Sequence, residues 1–97
     1  MIAVLPTQEQ VDQIARTLAP DVAYIRFNVA HDWSDHPAIY FRTVLSDEAA
    51  RERLAEVAER VRQELRARLG LDELEHISYF RYRTQSEQAT LNEKSWD

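Results

Sequence analysis

Ninety-seven residues with a formal net charge of −5 suffice for one domain and are too few for two ordinary ones. The acidic balance argues against bulk attraction to nucleic acid or anionic membrane, and no segment approaches the ~20 apolar residues of a membrane span. The absence of cysteine excludes disulfides, a thiolate nucleophile and a cysteine-based zinc site. Apolar residues at 44% and charged residues at 30% make the composition globular. A chain this short buries only about two-thirds of its unfolded surface, so self-association is a natural way to add buried area. The opening residues Met1–Pro6 have no basic region and are too short for a signal peptide, so the expected location is cytoplasmic.

Thr7-Gln8-Glu9-Gln10 is a capping-box pattern. Val11, Ile14, Ala15 and Leu18 follow at helical spacing, and Pro20 stops the segment, which predicts a helix over Gln8–Leu18. Val22–Ala30 then alternates: Ala23, Ile25, Phe27 and Val29 share one face, and Tyr24, Arg26 and Asn28 share the other. Ala38–Leu45 repeats the pattern, with Ile39, Phe41, Thr43 and Leu45 opposite Tyr40 and Arg42. The matched alternation predicts a hairpin with one buried face.

Ser46 is a good N-cap, and Asp47 and Glu48 suit the first turn of a long helix. Ala50, Leu54, Val57, Ala58, Val61, Leu65 and Leu69 form its apolar stripe. Gly70 suits the left-handed residue after its end, with Leu71 folding back. Ile77–Thr84 reads as a third strand of ambiguous phase: Ile77 and Tyr79 face the core, or Phe80 and Tyr82 do. Arg81 and Arg83 share parity with Tyr79, and burying two arginines is costly, which favours Phe80 and Tyr82 inward. Gln85–Asp97 is polar and aperiodic. It is expected to be a loose C-terminal tail to a domain over residues 1–84, unless Leu91 and Trp96 dock.

The order α-β-β-α-β predicts a two-layer α+β domain: a three-stranded sheet with two helices packed on one face. It is similar to ferredoxin-like half-domains, and resembles in topology alone the cytoplasmic dimerisation domain of cation-efflux transporters.

None of the three strands carries an acidic residue. The phase argument gathers Tyr24, Arg26, Asn28, Tyr40, Arg42, Tyr79, Arg81 and Arg83 on the face away from the helices. Long amphipathic side chains can simply cover such a face. Tyrosines and arginines are also what protein interfaces enrich. They can equally stack on bases and pair with phosphates, so a nucleic-acid-binding module is the alternative. The reading carried forward is a non-enzymatic domain that self-associates and binds a protein partner there, with no membrane and no cofactor. Phosphate-loop and dinucleotide patterns need glycines, and this chain has one.

The loop His31-Asp32-Trp33-Ser34-Asp35-His36 is a second candidate. His31, Asp32, Asp35 and His36 form a chemically reasonable ligand set for a divalent ion, which would support a metal-dependent enzyme or sensor. Their spacing matches no known loop signature, and Asp and Ser are ordinary turn residues. Trp33 either folds over the core edge or serves as a partner anchor. Ser34, His36 and Asp35 offer the residue types of a hydrolytic triad, but nothing in the sequence supplies an oxyanion hole.

Overall fold

The computed structural model describes residues 4–97. Helix α1 spans Gln8–Thr17. Its capping box forms as the sequence implies: the Gln10 amide donates to Thr7 Oγ1 (3.2 Å) and the Thr7 amide donates to Gln10 Oε1 (2.9 Å). Leu18 falls at the C-cap. Strands β1 (Val22–His31) and β2 (Pro37–Leu45) pair antiparallel, and β3 (Ile77–Thr84) pairs parallel to β2. The sheet order is β1-β2-β3, with helix α2 (Asp47–Leu69) making the crossover from β2 to β3. The parallel pairing demands such a connection.

The core lies between α1, α2 and one face of the sheet. Ile25, Ile39, Phe41 and Leu45 are fully buried there, with Phe80 stacked on Phe41 at 5.5 Å and Tyr82 packed against the same cluster. The third strand therefore takes the phase with Phe80 and Tyr82 inward. Two β1 residues depart from their expected burial. Val29 keeps its register opposite Ile39 but is 42% exposed near the hairpin end of the strand. Ala23 is exposed and Val22 is buried instead, because the register slips between Val22 and Tyr24. An extra residue at a bulge inverts the alternation on one side of it.

Helix α2 ends as expected. Gly70 has φ +62°, its amide donates to the Arg66 carbonyl, and Leu71 is buried. Its first turns differ from the straight stripe. Arg53 leaves helical geometry (φ −143°, ψ 34°) and its guanidinium forks onto Asp21 at 2.8 and 3.0 Å. The break re-phases the preceding turn, so Ala49 is buried in place of Ala50, and Leu54 is 49% exposed.

Gln85–Asp97 is ordered on the sheet. Helix α3 (Gln85–Leu91) and a short 3₁₀ turn (Lys94–Trp96) pack on the β2 and β3 side of the domain. Trp96 docks at 6% exposure, whereas Leu91 stays out. The compact α+β domain thus carries α1 and α2 on one sheet face and a peptide-like segment on part of the other. No helix among the described residues is long and apolar enough to cross a membrane.

Candidate functional site

The register aligns the outward side chains in rows across the three strands. One row is Asn28, Tyr40, Tyr79; the next is Arg26, Arg42, Arg81; the third is Tyr24, Val44, Arg83. All eight outward residues read from the sequence thus lie on one face. The Tyr40 and Tyr79 rings stack at 4.9 Å with planes 11° apart. The arginine row sets like charges side by side, which is unfavourable unless something offsets it.

The C-terminal segment supplies part of that offset. Arg26 Nε donates to the main-chain oxygen of Asp97 (2.7 Å), and the Arg26 guanidinium sits 4.7 Å from the Tyr24 ring centre. Arg42 Nε donates to the Ser95 carbonyl, and its guanidinium also bonds Asn28 Oδ1. In the next row, Arg83 lies 4.4 Å from the Trp96 ring centre, donates to Gln88 Oε1 (2.9 Å) and pairs with Glu93. Val44 is outward by parity yet only 1% exposed, as expected beneath a docked segment. Sequence reasoning did not find Glu93, Ser95 or Trp96 as members of this face. A signal existed: Thr84-Gln85-Ser86-Glu87 repeats the capping-box pattern of Thr7-Gln8-Glu9-Gln10, and both halves of the box form.

Arg81 stands apart. It is exposed, lies opposite Arg42, and enters no ion pair among the described residues. Arg42 in turn is held below the usual guanidinium range, first by partial burial and then by the charge of Arg81. Between sheet and C-terminal segment lies an open depression of about 620 Å³, within the size range of ligand sites. Its wall carries Arg42, Arg81 and Arg83 against one acid, Glu93, with Tyr40 and Trp96 as aromatic surfaces.

The hairpin loop is a closed hydrogen-bond unit. Asp32 is buried, and its Oδ1 accepts from the Ser34 amide (2.9 Å), the Ser34 hydroxyl (2.7 Å) and the His36 amide (3.0 Å). Its Oδ2 accepts from the Tyr79 hydroxyl (2.8 Å). These donors hold the Asp32 carboxyl far below the usual carboxylate range, the His36 amide and Ser34 hydroxyl most of all. The Asp32 bond in turn pushes the Tyr79 hydroxyl up. Both carboxylate oxygens are thus engaged within the protein. No group of three or more His, Asp or Glu among the described residues is arranged to hold a metal ion.

Ser34 Oγ also lies 2.7 Å from His36 Nδ1. The polarity is wrong for nucleophilic activation. The hydroxyl proton goes to Asp32, so the imidazole acts as donor to the serine oxygen and takes no proton from it. Asp35 sits at the turn with φ 65° and has no part in this chain of bonds. Trp33 does not fold over the core edge: it is 93% exposed, because the Asp32 network fixes the loop around the carboxylate and leaves the indole outside. Comparison with known proteins gives no match: no family model, no curated protein and no solved structure matches the chain.

Proposed function

We propose that this chain is a non-enzymatic domain that self-associates and binds a protein partner on its Tyr/Arg face. The partner's contribution to the depression is an acidic segment. The observation that carries this reading is the Arg42–Arg81 pair, two guanidiniums in register with no carboxylate between them. A carboxylate placed there would gain charge-assisted hydrogen bonds in a partly desolvated site. The chain's own C-terminal segment supports the idea, since its main-chain oxygens already serve as acceptors for Arg26 and Arg42. Trp33, exposed on a loop fixed by Asp32, is the kind of rigid aromatic that anchors protein interfaces.

Nucleic acid is the competing occupant, and the net charge of −5 opposes it. Fluorescence anisotropy separates the two, using a labelled Asp/Glu-rich peptide and a labelled single-stranded oligonucleotide of matched charge. The peptide is expected to bind, to weaken with salt, and to lose about tenfold or more in affinity with Arg81→Ala. Arg81 is exposed and enters no ion pair among the described residues, so its removal leaves the fold intact. Oligonucleotide binding that disappears with Arg81→Ala, without peptide binding, replaces the proposal with the nucleic-acid reading. Binding of neither probe overturns both.

A further inference from the structure

We infer that the second copy adds at the free edge of β3, forming a symmetric dimer with one continuous six-stranded sheet centred on Phe80. The inference rests on the self-association proposed above and assigns it a surface and a register. The two sheet edges differ. At β1, helix α1 lies alongside, Gln8 Nε2 donates to the Ile25 carbonyl (2.9 Å), and the Arg26 guanidinium donates to the same oxygen (3.3 Å). Side chains on an edge carbonyl block strand addition. Strand β3 has β2 as its only sheet neighbour, and among the described residues no side chain caps its main chain between Ile77 and Arg83. Ile77 is 42% exposed, and Phe80 is only half-buried despite its place on the core side. Beside the same strand, a groove of about 410 Å³ includes His76, whose Nδ1 is buried without a partner. With one edge capped and one open, pairing closes at two copies and does not propagate into a fibre.

Chemistry selects the register. Residues directly opposed across an antiparallel pair lie on the same sheet face, so a two-fold axis must pass through a residue and not between two. Centring on Arg81 sets its guanidinium against its own symmetry mate, which is repulsive. Centring on Tyr79 leaves Tyr82–Thr84 without partners. Centring on Phe80 pairs residues 77–83, brings the two Phe80 rings together on the core side, and sets Tyr79 opposite Arg81 of the second copy. Arg81, which has no ion partner among the described residues, then meets an aromatic face already stiffened by Tyr40 and Asp32. His76 comes opposite Thr84 of the second copy.

The chain's lack of cysteine makes the test direct. Tyr79→Cys and Arg81→Cys are prepared separately, and light scattering is run on the wild type. The expected result is twice the chain mass, with several-fold more covalent dimer on mild oxidation of the equimolar mixture than of either variant alone. A dimeric wild type with no cross-link in the mixture, or with Arg81→Cys cross-linking as well by itself, overturns this surface and register while self-association stands. A wild type that stays monomeric at high micromolar concentration overturns self-association and this interface together.

Discussion

Asp32 and Tyr82 show how single groups tie the loop and the core to pH. The Asp32 carboxylate accepts from the Ser34 amide and hydroxyl and the His36 amide, and its folded pKa is depressed. A depressed carboxyl contributes stability that is fully present above its unfolded pKa of about 3.9 and is lost as pH falls through the folded value. The Ser34 and His36 amides should therefore stay fully protected from hydrogen exchange down to about pH 4 and lose protection progressively as pH falls from there toward the folded value. Asp32→Asn should expose both amides at neutral pH and remove that acid dependence. Tyr82 has the opposite sign. Burial pushes its hydroxyl up to about 12, and it donates to the Ala58 carbonyl at 3.0 Å. The favoured neutral form contributes stability below the unfolded pKa of about 10, lost as pH rises from there through the folded value. Absorbance at 295 nm should show two tyrosines raised, the Asp32-bound Tyr79 and the buried Tyr82, with the Tyr82 step late and coincident with alkaline unfolding. Tyr82→Phe should abolish that late step and cost about 0.5–1.5 kcal/mol, the net worth of one hydrogen bond.

At the scale of elements, what was legible in the sequence was local. Both helix caps and the Gly70 stop depend on neighbours within a few residues, and each formed. The inward faces of β2 and β3 followed from parity and from the cost of burying Arg81 and Arg83. What escaped was set by distant partners. The bulge at Ala23 exists only relative to β2. The break at Arg53 answers Asp21, 32 residues away. The C-terminal segment is held by Arg26 and Arg42, which lie 71 and 53 residues before their acceptors. A polar, aperiodic sequence gives no sign of main-chain oxygens docking on guanidiniums, although the Thr84 cap announced α3. The indole of Trp96 is the one large apolar group holding that segment down. Trp96→Ala should cost up to about 3–5 kcal/mol, nearer the low end because the segment can detach and let water fill the gap. Limited proteolysis after Leu91 and loss of protection at Val44 would report the detachment. An unchanged cleavage pattern would mean that the polar contacts of Arg26, Arg42 and Arg83 hold the segment without the indole.

At the scale of the molecule, the charges are segregated. The net charge is −5, yet the strands contain no acid and their arginines share one face. On the proposed reading such a surface would draw an acidic partner over short range while the rest of the chain repels it, so binding should fall steeply as salt shortens the screening length. Dimerisation through β3 would bring two of these faces into one, with an Arg42–Arg81 pair on either side of the two-fold axis. An acidic peptide would then meet more positive charge on the dimer than on the monomer, and it would relieve repulsion across the seam. Differential affinity is reciprocal: a ligand that prefers the dimer must promote it. Adding the Asp/Glu-rich peptide should therefore lower the protein concentration at which the dimer is half-formed, and raised salt should cancel the shift. If the peptide instead drove the dimer apart, it would be competing for Arg81 with Tyr79 of the second copy, and the two activities of the face would be alternatives within one molecule.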